Sequence, residues 1–340
     1  MGMKRKFAGN GMLKAGLGTA NAEGYSMPPT SFVPSPRSFS LLAPAKINLW
    51  LRVLGRREDG FHELETRLAP LELCDRLTLT ADPALPRGEI AFSCDEVSVP
   101  VDGSNLVVKA VRALEPVTGK LPGMRLHLEK RIPHGAGLGG GSSDAAAALR
   151  LVREVFCQDL REGVLQAAAA EVGSDVPFFL LGNVADATGR GEKVVAVPEF
   201  TATPRVLLVK LPFGIPTPWA YRQWKDALEV PGLPYRPQAT ACGELSNDLE
   251  RPVFEKFQVL GHLKAMLLAI PGVSAALMSG SGSTVFALLG DSVDLAAVKA
   301  AVHEEVGHEV QIIVTRLRTG AHPIVEPADF SSLPATDVAL

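Results

Sequence analysis

Residues 133–149 read Pro-His-Gly-Ala-Gly-Leu-Gly-Gly-Gly-Ser-Ser-Asp-Ala-Ala-Ala-Ala-Leu. Five glycines fall within the seven positions 135–141, two serines follow, and an alanine run opens a helix. Glycine lets a backbone turn tightly and come close to a ligand. A helix N-terminus offers unpaired N–H groups and about half a positive charge. Together they make a nest for a polyphosphate, so a nucleotide-using protein is the first expectation. Gly135, Gly137 and Gly140 also satisfy G-x-G-x-x-G, but the dinucleotide fold feeds those glycines directly from a buried strand. Here residues 124–130 alternate apolar and polar, as a half-exposed antiparallel strand does, and residues 131–134 intervene. A Walker loop ends in Gly-Lys-Ser/Thr, and no lysine lies between Arg131 and the helix. A flexible linker rarely feeds so well patterned a helix.

The length of 340 residues suggests one large or two medium domains. Apolar residues make up 46%, and the net charge of −3 gives no reason to expect nucleic acid or an anionic membrane as partner. No apolar run reaches 18 residues, so no membrane span is expected. Cys74, Cys94, Cys157 and Cys242 are scattered without a CxxC pair, which suits reduced thiols in a cytoplasmic protein better than a zinc site. Residues 1–40 carry Lys4, Arg5, Lys6, Lys14 and Arg37 against Glu23 alone, with no continuous apolar core. That composition excludes an ordinary secretory signal. It favours a disordered leader or an early start (Met12 and Met27 follow) over organellar targeting. The proline-bearing tail after Leu317 reads as poorly packed.

Along the chain, residues 40–54 read as two strands with a bend at Pro44, and 64–73 and 75–80 as further strands. Ser104 is expected to cap a helix, another runs over 143–155, and a third over 163–172. A strand pair is expected around 184–197 and a strand at 205–211. A helix is expected at 219–228, then one long helix from Asn247. A glycine-serine turn at 279–283 feeds the strand 284–289, and a helix at 293–306 and a strand at 309–317 follow. Strands and helices mix without a strict βαβ rhythm, so the class is α+β.

Three motifs now stand in order: Pro44-Ala-Lys-Ile-Asn-Leu49, the loop at 133–147, and Ser279-Gly-Ser-Gly-Ser283. Together they resemble the GHMP kinases, the superfamily of galactokinase, homoserine kinase and mevalonate kinase. Four further stretches sharpen the resemblance: Arg56-Arg-Glu-Asp-Gly-Phe-His62, Gly173-Ser-Asp-Val-Pro-Phe178, Gly189-Arg-Gly-Glu192 and Ser246-Asn-Asp248. The similarity covers residues 41–317. It implies a ribosomal-protein-S5-like N-terminal domain over 41–200 and a ferredoxin-like C-terminal domain over 201–318, with a tail at 319–340. The active site would lie in the cleft between them. The implied activity is ATP-dependent phosphorylation of the 2-hydroxyl of a methylerythritol carried on cytidine diphosphate, in non-mevalonate isoprenoid synthesis. The alternative is another GHMP kinase acting on homoserine or mevalonate. Phe61-His62 together with 246–248 favours the cytidine reader.

Phosphoryl transfer asks for positioning, charge neutralisation and an aligned nucleophile. By resemblance Asp175 is the catalytic base and Lys46 the catalytic lysine that stabilises charge on the attacking oxygen. Pro133, Gly135, Gly137, Leu138, Gly139, Gly140, Gly141, Ser142 and Ser143 would hold ATP, with Mg²⁺ expected beside it and its ligands unassigned. Asn105 and Lys130 match positions near the adenine; a helix-capping amide and a solvated strand end are their plainer readings. Asp144 is expected to point away from the phosphates. Phe61 would stack on the cytosine and His62 read its edge, while Asn48 would meet a substrate hydroxyl or the base. Ser279, Gly280 and Ser281 would close the phosphate or diphosphate end. Phe61 stands where tyrosine is common, Ala136 where glycine is usual, and Leu245 where some relatives carry a second aromatic.

Overall fold

Alternating apolar residues over Ser38–Arg56 build one long strand, β1, in a computed structural model that describes residues 37–325. Pro44 does not end β1; the pairing with the next strand slips just after it, so the bend is absorbed as a bulge. After β1 come β2 (His62–Ala81), β3 (Ile90–Cys94), α1 (Leu106–Ala113), α2 (Glu115–Thr118), β4 (Met124–Glu129), α3 (Gly140–Phe156) and α4 (Glu162–Val172). Next are α5 (Val176–Leu181), β5 (Ala185–Gly189), β6 (Lys193–Ala196), β7 (Arg205–Lys210), α6 (Thr217–Gln223), β8 (Gln238–Thr240) and β9 (Gly243–Asn247). The chain ends its regular structure with α7 (Glu250–Lys256), α8 (Gln258–Ala269), β10 (Val273–Met278), β11 (Thr284–Leu289), α9 (Leu295–Val306) and β12 (Gln311–Arg316).

The larger sheet runs β3-β4-β2-β1-β9-β8, with β5 on the free length of β2 and β6 on β5. The smaller sheet is antiparallel, in the order β10-β11-β7-β12. One strand links three cores. Leu41 and Ala43 pack under α1, α3 and α4, Ala45, Ile47 and Leu49 fill the layer between the sheets, and Leu51 and Val53 join the core of α6–α9. Period-two geometry then turns the even positions Lys46 and Asn48 the other way, into the site.

Several expectations need correction. Asn105, not Ser104, caps α1, its side-chain oxygen accepting from the Val107 N–H. The helix expected at 219–228 is the shorter α6, which starts early because Pro218 suits a first turn. The long helix from Asn247 is two: Asn247 belongs to β9, and Phe257 (φ −119°, ψ 66°) parts α7 from α8. The Phe257 ring packs against Phe213 and Trp219, at 5.3 and 5.8 Å between centroids. The segment after Leu317 is packed as far as residue 325. Arg318 N–H donates to the Pro70 carbonyl, His322 Nε2 meets Cys74 Sγ at 3.3 Å, and Val325 pairs with Ser40. The leader up to residue 36 and the tail beyond 325 lie outside the described residues. Among the described residues no helix is long and apolar enough to cross a membrane.

Candidate active site

Lys46 is 4% exposed, yet its ammonium is not stranded. It donates to Asn48 Oδ1 at 2.7 Å and faces Asp175 Oδ2 at 3.6 Å. Asn48 donates in turn to Thr66 Oγ1, whose hydroxyl donates to the Trp50 carbonyl. The chain of bonds fixes the lysine from behind, and Asn48 uses its oxygen and one amide N–H for that task. Asp175 takes the N-cap position of α5 but makes no side-chain cap bond, so its carboxylate is left for Lys46 and the cavity.

The glycine loop lies directly over this pair. Ala136 and Leu138 bury their side chains between the sheets, while the Leu138 carbonyl accepts the Lys46 N–H at 2.9 Å. Gly139 (φ +71°) is the N-cap of α3, and a Cβ there would stand 2.9 Å from Lys46 Cγ and from the Phe179 ring. The last loop glycines and Ser142 therefore form the first turn of α3, its N–H groups free of helix partners. Ser143 Oγ is buried with no hydrogen-bond partner among the described residues. The Ser279–Ser283 turn packs on the loop: Ser279 Oγ donates to the Gly137 carbonyl, and Ser281 Oγ shares a hydrogen bond with Thr217 Oγ1. Gly280 sits against Lys46 and Asn48.

At Gly137 (φ +75°) a Cβ would stand 2.4 Å from the Ser279 carbonyl oxygen. Gly137→Ala is expected to cost about 1–3 kcal/mol from backbone strain alone, with the clash added. Denaturant melts read that loss, and a raised KM for ATP accompanies it because the loop and the turn are pushed apart. An unchanged melt would remove the contact from the argument.

Lys130 is not a solvated strand end. Its ammonium is held between Asp75 and Asp144, the latter at 2.8 Å, and all three groups are largely buried. Asp75 also accepts the N–H groups of Arg131 and Ile132, so it pins the chain entering the glycine loop. Burial and the neighbouring Asp75 push the Asp144 carboxyl well above the usual range, against the pull of Lys130. Asp144 thus faces this cluster, as the expectation of an acid turned from the phosphates requires. Asn105 caps α1 and donates to the Pro100 carbonyl, the plainer of its two readings.

Beside Asp175 opens a cavity of about 500 Å³ lined by Phe61, His62, Asp175, Arg190, Thr217 and Tyr221 among others. Phe61 stands half exposed on a turn whose Asp59 carboxylate accepts its N–H. Arg57 braces the turn through Asp59 and Glu63. His62 stacks on Tyr221, 5.4 Å between centroids. Burial, with Arg56 nearby, lowers the His62 pKa. Tyr221 escaped the sequence reading, since an aromatic in a short amphipathic helix carries no signal of its own; Arg190 stands within the 189–192 stretch that carries the resemblance, with no role attached to it there. Leu245, at the position where some relatives carry a second aromatic, is core, and the aromatic that lines this cavity beside Phe61 and His62 is Tyr221 of α6. Asn247 and Asp248 are not among the residues lining this cavity. Asn247 donates to the carbonyls of Met278 and Gly280, and Asp248 accepts the Val53 N–H.

Residues 105–183 match the family model for the GHMP kinases N terminal domain, and 238–308 that for GHMP kinases C terminal. A 4-diphosphocytidyl-2-C-methyl-D-erythritol kinase of Methylacidiphilum infernorum is 43% identical over 246 residues, 72% of this chain and 84% of that protein. The protein of the same name from Synechococcus sp. strain JA-2-3B'a(2-13) is 38% identical over 276 residues, 76% of this chain and 87% of that one. A crystal structure of 4-(cytidine 5'-diphospho)-2C-methyl-D-erythritol kinase superposes with a TM-score of 0.66 at 35% identity, covering 83% of this chain and 100% of its own. Homoserine kinase from Cytophaga hutchinsonii, 17% identical, shares the fold with a TM-score of 0.61 over 86% of this chain and 99% of its own.

Proposed function

This chain belongs to the 4-diphosphocytidyl-2-C-methyl-D-erythritol kinases of the GHMP family, and we propose that it moves the terminal phosphoryl group of ATP to the 2-hydroxyl of its substrate's methylerythritol moiety. The observation that carries this mechanism is the meeting of Lys46 and Asp175 at 3.6 Å beneath the glycine loop. Asp175 orients the hydroxyl and takes its proton as the new O–P bond forms and the bond to the departing ADP breaks. Lys46, fixed by Asn48, stabilises the charge on the attacking oxygen. The N–H groups of Gly140, Gly141 and Ser142 hold the phosphates at the head of α3. The Ser279–Ser281 turn closes the phosphate end. Residues 130–134 line a further cavity of about 640 Å³, and its place beside the glycine loop supports reading Lys130 and Pro133 as the adenosine end, whereas Asn105 is not among its lining.

Mg²⁺, arriving with ATP, would neutralise phosphate charge. The Ser142 and Ser143 hydroxyls and the Asp175 carboxylate offer the oxygen donors that such a hard cation takes, and the unpartnered Ser143 hydroxyl supports that fit. Phe61 stacks on the cytosine, Tyr221 walls the cavity across from the turn, and His62 reads the base edge.

A coupled ADP-release assay over a panel of alcohols tests the reading. Turnover is expected with the cytidylyl substrate and not with free methylerythritol phosphate, homoserine or mevalonate; equal turnover of the uncytidylylated alcohol would overturn it. The pH dependence gives a second test. His62 is held below its ordinary pKa of about 6.5, so its imidazole is neutral at pH 7 and gains a proton only on the acid side. KM for the cytidylyl substrate is therefore expected to stay flat from pH 8 to below the ordinary histidine range and to rise from there. His62→Gln should erase that acid limb. If the limb survives in the variant, another group reads the base.

A further inference from the structure

We infer that Arg190 is a positioning residue for the nucleobase, acting through Phe61. This rests on the reading of the 500 Å³ cavity as the cytidine site. The guanidinium carbon of Arg190 lies 5.0 Å from the centroid of the Phe61 ring. At that distance a planar cation is attracted to the π-face and stacks on it. Arg190 is itself tied down. Its Nη2 donates to the Ala170 carbonyl in the last turn of α4 at 2.9 Å, and its backbone N–H donates to Glu192 Oε2 at 2.8 Å. Pairing of Gly189 with Leu64 sets this turn beside the Phe61 turn.

Phe61 needs such a support. It is 49% exposed and belongs to none of the three hydrophobic cores among the described residues. An exposed ring that must be ordered by its ligand loses rotamer freedom on binding. A guanidinium over one face removes that cost in advance and leaves the other face for the base. The hydrogen bonds of Arg190 run to Ala170 and Glu192 and not to Lys46 or Asp175, so its effect is expected on binding; because the next residue, Gly191, lies near Asp175, kcat is the check that the turn has not shifted against the carboxylate.

The test is a double-mutant cycle on the full chain, read as KM for the cytidylyl substrate, kcat and KM for ATP, with melts as a folding check. Phe61→Ala is expected to raise KM for the cytidylyl substrate about thirtyfold, the scale of a lost base–aromatic stack. Arg190→Ala should raise the same KM about five- to tenfold with kcat and KM for ATP unchanged. Arg190→Lys should fall between, since an ammonium does not stack as a plane. The double variant should match Phe61→Ala, because Arg190 then has no ring to hold. Additive effects, or an unchanged KM in Arg190→Ala while Phe61→Ala is impaired, would overturn the role of Arg190 alone. A neutral Phe61→Ala would overturn the reading of the cavity and this inference with it. Arg190→Met, which keeps the bulk without the charge, replaces Arg190→Ala if the latter melts early; a KM equal to wild type in the Met variant likewise overturns the role.

Discussion

Asp175→Asn is expected to lower kcat a hundredfold or more, the scale at which a positioned proton acceptor contributes. The amide keeps the size of the carboxylate and one oxygen acceptor, but it cannot take the proton of the incoming hydroxyl. The fold should hardly notice. Asp175 makes no side-chain cap bond to α5, and Lys46 keeps its 2.7 Å bond to Asn48 when the carboxylate is gone. KM for ATP is expected to stay within about twofold, which separates a defect in transfer from a defect in binding. Lys46→Met should give a loss of similar size by a different route: the attacking oxygen loses its nearest cation, and Asn48 Oδ1 is left buried without its donor. Steady-state kinetics with both substrates varied, alongside ATP binding by calorimetry, decide the matter. Full turnover in Asp175→Asn would strip that residue of its role. A collapse of ATP binding in the same variant would make it a structural residue of the loop instead.

The parts of this site legible in the sequence are those built by backbone geometry. A glycine run before an alanine-rich helix has few structural solutions, and the strand alternation around Pro44–Leu49 puts Lys46 and Asn48 on the face opposite the core. The meeting of Lys46 and Asp175 was implied by resemblance, not by spacing, because it depends on β1, α3 and α5 packing together. What stayed hidden is what tertiary packing decides. Lys130 ends a half-exposed strand, and nothing local tells that Asp75 and Asp144 close on it. Tyr221 sits on α6 like any amphipathic-helix aromatic until the Phe61 turn is brought opposite. The polar triplet 246–248 looked like a ligand reader, yet its amide and carboxylate satisfy backbone groups where β9 meets β1 and the Ser279 turn. The break at Phe257 has no proline or glycine to announce it. What accompanies it is packing of the Phe257 ring against Phe213 and Trp219, residues distant in sequence.

The second large effect is expected at Glu250, in the core behind the Ser279 turn. Glu250 and Lys264 are both essentially excluded from water, and Lys264 Nζ donates to Glu250 Oε2 at 2.7 Å. The other carboxylate oxygen accepts the Met278 N–H at 3.0 Å, one residue before the Ser279 turn. Burial pushes the Glu250 carboxyl up, and Lys264 pulls it back. Glu250→Ala would leave an ammonium buried with no counter-charge, so it is expected to cost about 3–5 kcal/mol in urea melts, enough to leave a marginal domain partly unfolded. The combined Glu250→Leu and Lys264→Met replacement removes both charges and fills the same volume; it should melt within about 1 kcal/mol of the starting protein or above it. Stability and activity then part company. The double variant still lacks the acceptor for the Met278 N–H, which leaves the turn one hydrogen bond short on its core side, where Asn247 still donates to the carbonyls on either side of Ser279. Its turnover should therefore recover less completely than its melting point, through a raised KM and not through the Lys46–Asp175 pair. Equal recovery of both would mean that Glu250 serves the core only, and that the turn over the glycine loop keeps its place without it.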